Sequence, residues 1–152
     1  MLSLSDARQQ FIGHLKGRSR STATILAYSK DVEQLVDYLQ KQGIEDPKLA
    51  ATEHLQAFMN KLAKEGYSAK SISRKTNSTK TYFKYLRASS MIDADPATQL
   101  EHPSFENKPP RILTKLEYRA LRDAARGDLR ISAIIELLLQ TGIRIGELAK
   151  LS

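Results

Sequence analysis

The sequence predicts an all-α protein: a four-helix bundle, a linker, and the first helices of a second, incomplete domain. Three observations predict it. Apolar residues recur at helical spacing from Ala7 to Leu86, and nowhere in the chain do they alternate as a strand would. A cap residue or a glycine punctuates those stretches. Residues 101–110 are then polar, proline-rich and aperiodic, and Thr114-Lys115-Leu116-Glu117 follows as a capping box that opens something new. The expected boundaries are 1–103 for the bundle, 104–112 for the linker and 113–152 for the second domain.

Residues 5–16 place Ala7, Phe11, Ile12 and Leu15 on one helical face, and Gly17 breaks the pattern. Ser21 or Thr22 is a natural N-cap for a longer helix that reaches about Gln42. Ile25, Tyr28, Val32, Leu35, Val36 and Leu39 form its buried stripe, and Gly43 is its stop. Its other face begins with Ala23, Ala27, Lys30 and Gln34, small enough at the start to lie close against a flat or grooved partner. After Asp46-Pro47, a third helix capped by Thr52 runs to about Glu65, with Leu55, Phe58, Met59 and Leu62 inward and Gly66 at its end. Ser68 caps a fourth helix that reaches about Ala88, with Ile72, Thr79, Tyr82, Phe83 and Leu86 on one arc. Asp95-Pro96-Ala97-Thr98 is a short closing turn. Beyond the linker, a helix passes through Leu121 and Ala125. Residues 129–139 are then apolar nearly all round, a pattern that belongs inside a larger fold. Without that fold, residues after about Pro110 are expected to be loosely ordered, self-associated or packed differently.

Charge is the next signal. The 152 residues carry a formal net charge of +7, with 41% hydrophobic and 27% charged residues, which fits a globular chain with a polyanionic partner. On a wheel of about 100° per residue, Lys70, Arg74, Asn77, Thr81 and Lys84 gather opposite the fourth helix's apolar arc, with Ser73 and Lys80 beside them. No acidic residue occurs between Gly66 and Ile92. A solvated face ordinarily mixes signs to limit self-repulsion, and this one does not, which points to nucleic acid. Other classes drop out. No apolar run approaches a membrane span, the start lacks the form of a signal peptide, and cysteine is absent, as suits a reducing cytosol. His14, His54 and His102 have no metal-ligand spacing, and neither a nucleophile motif nor a Gly-rich phosphate loop is present.

The stretch Leu137-Leu138-Leu139-Gln140-Thr141-Gly142-Ile143-Arg144-Ile145-Gly146-Glu147-Leu148 reads as the end of an apolar helix, a glycine turn and a fresh helix start. Gly142 suits the left-handed conformation that ends a helix. Arg144 is placed either to grip a phosphate by two oxygens or simply to pair with Glu147 one turn on.

In its full order the chain resembles the tyrosine recombinases, the phage integrases and Xer-type resolvases. The likeness rests on Ser21-Thr22-Ala23-Thr24 leading to Tyr28 and Asp31, and on Gly66-Tyr67-Ser68-Ala69-Lys70-Ser71-Ile72-Ser73-Arg74 leading to Tyr82-Phe83-Lys84-Tyr85-Leu86. It continues through Asp95-Pro96-Ala97, Pro109-Pro110-Arg111-Ile112-Leu113-Thr114 and the Gly142–Arg144 stretch. The resemblance implies that residues up to about 103 are a SAM-like core-binding domain, one half of a clamp on duplex DNA, with the second and fourth helices facing the duplex. It implies that Arg144 is the first catalytic arginine, stabilising a phosphate as a tyrosine attacks to form a 3′-phosphotyrosyl link. It implies no metal and no nucleotide cofactor, a synaptic tetramer with other recombinase protomers, and a cytoplasmic, nucleoid-associated location. The family's later catalytic residues, its lysine, its His-x-x-Arg motif and its tyrosine nucleophile, find no counterpart here, so this chain is expected to bind DNA without cutting it. Thr76 and Thr79 stand where the family usually carries apolar residues and are expected to make the core more polar.

On this reading Arg18, Arg20, Lys70, Arg74, Lys80 and Lys84 contact phosphates, with Lys30 on the same side. Ser21, Thr24, Ser73, Asn77 and Thr81 serve positioning bonds or base edges. Arg74→Glu with Lys84→Glu is expected to weaken binding without unfolding the domain. Two rivals belong to other classes: a stand-alone helical DNA-binding regulator, for which Arg144 is incidental, and a protein-interaction bundle whose basic face meets an acidic partner.

Overall fold

The computed structural model describes residues 3–18, 20–104 and 109–151; residues 105–108 of the expected linker lie outside these, as do Met1, Leu2, Ser19 and Ser152. The chain divides into two compact units, Met1–Glu106 and Asn107–Ser152. Among the described residues there is no strand, and no helix is long and apolar enough to cross a membrane.

In the first unit, α1 (Leu4–Gly17) starts slightly before the apolar pattern suggests. Ser3 caps it, its hydroxyl accepting the Asp6 N–H at 3.1 Å. The buried stripe is Leu4, Ala7, Phe11 and Leu15, with Ile12 only half-buried. Helix α2 (Thr22–Lys41) is capped by Ser21, and Gly43 follows it at φ 79°, a conformation that suits glycine. A short 3-10 turn over Pro47–Leu49 is capped by Asp46, which accepts the Lys48 N–H at 2.9 Å.

Helix α3 (Thr52–Lys64) corrects an expectation, because its N-cap is Ala51 and not Thr52. The Thr52 hydroxyl is instead donated to the Pro96 carbonyl at 2.9 Å, pinning the closing turn to the bundle. His54 Nδ1 accepts the Ala51 N–H at 3.1 Å and so supplies the return half of a capping box. Helix α4 (Ala69–Ala88) is capped by Ser68 through the Ser71 N–H at 3.2 Å.

These helices enclose one core. Tyr82 packs its ring edge-on between Phe11 and Phe83, with centroids 5.3 and 5.2 Å away. Val32, Leu35 and Leu39 from α2, Leu55, Phe58 and Leu62 from α3, and Ala97 and Leu100 from the closing turn complete it. Thr76 and Thr79 are buried as well. The Thr76 hydroxyl is donated back to the Ile72 carbonyl at 3.0 Å, so this polar group enters the core already satisfied.

In the second unit, the Thr114 hydroxyl accepts the Glu117 N–H at 3.2 Å and Glu117 accepts the Thr114 N–H at 2.9 Å, a complete capping box for α5 (Lys115–Ala124). Asp128 caps α6 (Leu129–Thr141) by accepting the N–H groups of Arg130 and Ile131 at 2.9 and 3.0 Å. Gly142 stops α6 at φ 65°, and α7 (Ile145–Leu148) is a single turn. Of the described residues in this unit only Ala125 is buried, and Leu129 is 89% exposed. The apolar helix is formed but not enclosed.

Candidate nucleic-acid interface

The outer arc of α4 carries Lys70, Arg74, Asn77 and Lys84 exposed, with Ser73, Lys80 and Thr81 half-buried at its flanks. From Lys70 to Lys84 it runs about 21 Å at the helical rise. Among the described residues, Lys70, Lys80 and Lys84 enter no ion pair. Their charge is turned outward with nothing internal to answer it.

The structure joins this arc to the α1–α2 connection. Arg18, Arg20, Thr81 and Lys84 border one shallow cleft whose floor includes Phe11, Leu15 and Tyr85. His14 also lines it, its ring 4.6 Å from that of Tyr85. Among the described residues no acidic one lines the cleft. Three permanent cations from two separate segments thus converge, a convergence the sequence order conceals. Lys30 is exposed on α2.

The polar side chains of the face are less free than their positions suggest. Ser21 accepts the Thr24 N–H at 3.2 Å and its Oγ lies 2.8 Å from the Thr24 Oγ1, so both serve first as cap. Thr81 donates its hydroxyl to the Asn77 carbonyl at 2.7 Å, leaving it only lone pairs to offer, which suit a base amino group and not a phosphate. Ser73 Oγ lies 3.2 Å from His102 Nδ1. The Asn77 amide has no side-chain partner among the described residues and can both donate and accept.

Arg74 differs from its neighbours. It is ion-paired with Asp31 of α2, and its Nη1 also reaches the Ala27 carbonyl at 3.5 Å, so the small-residue face of α2 meets α4 at this point. Asp31 is buried; it takes Lys75 Nζ at 2.9 Å and the Ser78 hydroxyl at 3.2 Å as well. Arg74→Glu would set a second carboxylate against a buried one, so the Arg74→Glu, Lys84→Glu variant alters the Asp31 cluster as well as the outer face. Lys75 is the residue sequence reasoning missed. It is buried, although it sits in the basic run. The wheel contained the signal: Lys75 falls about 20° from both Tyr82 and Leu86, inside the apolar arc.

The tyrosines are mostly framework. Tyr82 is fully buried, with its hydroxyl unpartnered among the described residues. Burial pushes that phenol far above its ordinary value, Arg8 offsetting part of the effect and Tyr85 adding to it. Tyr28, Tyr38 and Tyr85 pack half-buried on the core.

In the second unit, Arg144 stands at the N-cap of α7 with its side chain 84% exposed. Its Nη1 lies 3.1 Å from Glu147 Oε1, and its backbone N–H is donated to Glu147 Oε2 at 3.0 Å. The pairing with Glu147 is therefore formed, while most of the guanidinium faces solvent. Among the described residues no group of His, Asp or Glu is arranged to hold a metal ion.

Comparison with known proteins gives a consistent result. The sequence profile of the phage integrase N-terminal SAM-like domain matches residues 9–90. The tyrosine recombinase XerD of Rickettsia bellii is 29% identical over 142 residues, covering 90% of this chain and 46% of that protein. The tyrosine recombinase XerC of Pseudomonas fluorescens is 31% identical over 144 residues, covering 91% of this chain and 48% of that one. The chain thus spans about half the length of the curated relatives it matches. Among solved structures, a lambda integrase dimer bound to a COC′ core site shares the fold at a TM-score of 0.75 and 20% identity, over 98% of this chain and 41% of that one.

Proposed function

The chain belongs to the family of phage integrase N-terminal SAM-like domains, and from that premise we propose that it is the DNA-binding portion of a site-specific tyrosine recombinase. Residues 1–103 are the core-binding domain, 104–112 the linker and 113–152 the opening of the catalytic domain. The observation that carries the reading is the uncompensated cationic surface of the first unit. Lys70, Lys80 and Lys84 of α4 and Arg18 and Arg20 beside α2 present charge to solvent, and among the described residues no acid lines the cleft where the two segments meet. Such a surface gains affinity for a duplex by releasing condensed counterions. Asn77 is the side chain of the face best able to read a base edge, because its amide is uncommitted.

Arg144 takes the scissile phosphate in exchange for its contact with Glu147, and its planar fork stabilises the charge that builds as a tyrosine attacks. That tyrosine is not among the residues of this chain. Tyr82 is sealed in the core, Tyr28, Tyr38 and Tyr85 pack against it, and the Tyr67 and Tyr118 hydroxyls accept from Gln34 and Gln140. The chain accordingly binds a recombination site without cutting it, and strand exchange requires a complete catalytic set and further protomers in a synaptic tetramer. The relatives named tyrosine recombinase, and a fold shared with a lambda integrase dimer bound to a core site, support this reading.

Lys80→Glu with Lys84→Glu tests it without touching the Asp31 cluster. The double variant is expected to keep its helical circular dichroism and to lose the gel shift of a duplex. Its log-affinity against log-salt slope is expected to be shallower by about 1.8, two contacts' worth. An unchanged shift would place the duplex on another surface.

A further inference from the structure

We infer that Asp31 is a positioning residue for phosphate capture by Arg74, and that buried Lys75 is the counter-charge that leaves Arg74 available for it. The inference rests on the duplex-binding reading above.

The charges around Asp31 do not cancel one for one. Lys75 Nζ lies 2.9 Å from Asp31 Oδ1, and both side chains are almost wholly buried. Lys75 also donates to Gln34 Oε1 at 2.6 Å and lies 5.5 Å over the ring of Tyr67, whose hydroxyl accepts from Gln34 Nε2 at 3.2 Å. The ammonium is thus fixed from three sides and neutralises the carboxylate by itself. Arg74 is therefore a surplus positive charge on a cluster already balanced.

Geometry decides what that surplus can do. Only Nη1 of Arg74 is engaged, by Asp31 Oδ2 and weakly by the Ala27 carbonyl. The other guanidinium nitrogens have no partner among the described residues, and the side chain is 45% exposed. A guanidinium held at one nitrogen still offers an edge of parallel N–H donors, the geometry that takes two phosphate oxygens at once. Lys70 and Lys84, on the same arc, lack such a tether and lose more freedom on meeting a phosphate. Arg74 is the preorganised contact of the face, and Asp31 aims it.

The sign of one substitution separates this from simple electrostatics. Asp31→Asn removes a negative charge next to the cationic face, so charge alone makes duplex binding tighter. Loss of positioning makes it weaker, by about tenfold for one charge-assisted phosphate contact. The experiment is fluorescence anisotropy of a labelled duplex across a salt series, on the full chain and its variants. For Asp31→Asn the expected slope is shallower than wild type by about 0.9. Arg74→Ala is expected to lose the same contact, and Asp31→Asn added to it to cost nothing more. Asp31→Asn that folds and binds as tightly as wild type, or tighter, overturns the inference, as does an additive double variant. Should Asp31→Asn lose its helical spectrum, Arg74→Lys carries the test: it keeps the charge, must lose affinity, and overturns the inference if it does not. A wild-type chain with no salt-dependent binding fails the functional reading itself. Wild-type binding with unaltered variants fails this inference alone.

Discussion

Ser68 at the start of α4 and Thr114 at the start of α5 do the same local work. Each accepts a backbone N–H three residues on, at 3.2 Å, and each begins a helix where the sequence places one. The two units then diverge in how they pack. Helix α4 buries Ile72, Tyr82, Phe83 and Leu86 in a shared core, whereas α6, the most apolar helix of the second unit, leaves Leu129 89% exposed and Ile131 half exposed. Helix starts and stops are decided within a few residues, so they form in both units. Enclosure depends on distant segments arriving, and only the first unit provides them.

The largest expected effect lies on the closed side of this comparison. Phe83→Ala is expected to destabilise the first unit by about 3–5 kcal/mol, the usual cost of deleting a fully buried aromatic ring. Leu129→Ala, at the exposed end of α6, is expected to stay within about 0.5 kcal/mol. Urea melts monitored by circular dichroism check both, and equal effects would erase the distinction between the units.

A smaller effect of opposite sign comes from Tyr82. Its hydroxyl is buried without a partner, so Tyr82→Phe is expected to stabilise by about 1 kcal/mol or more. The same burial raises the phenol's folded pKa above its unfolded value. Its contribution is therefore intact below about pH 10 and is lost as pH rises beyond it. Tyr82→Phe is expected to blunt the alkaline fall in stability. A variant less stable than wild type at neutral pH would show that the hydroxyl is satisfied after all.

The smallest effect probes the open unit. The Thr114 N–H, then its hydroxyl, then Arg111 hold the Glu117 carboxyl below its ordinary value of 4.5. Its contribution to the α5 start is therefore present above that pH and is lost as pH falls through the lower folded value. Acidification, or Thr114→Ala at neutral pH, is expected to speed amide exchange at the α5 start and leave the core of the first unit unchanged. Equal acceleration in α4 would contradict a local cap.

Much of this was legible in the sequence. Ser68, Thr114 and Gly142 marked helix ends, and Ser21 was one of two candidate caps beside Thr22, because capping and left-handed turns are written into adjacent residues. Thr52 misled because a hydroxyl at a helix start has two uses, and its partner, Pro96, lies 44 residues away. Lys70, Lys80 and Lys84 were visible as an acid-free arc. The meeting of Lys84 with Arg18 and Arg20 depended on how α1 packs against α4. The Asp31–Lys75 pair was hidden by composition. A lysine in a basic run counts as surface, and only its angle among the apolar residues of α4 showed otherwise.

On the function proposed above, the cationic face of the first unit grips duplex DNA through phosphates. The most direct test of this claim is the affinity of the wild-type chain for a duplex of about 30 base pairs, measured across a salt series. The expected result is a steep linear fall of log affinity with log salt, about 0.9 per phosphate contact and several contacts in all. Weak binding that does not change with salt would contradict the claim and leave the basic face to an acidic protein partner.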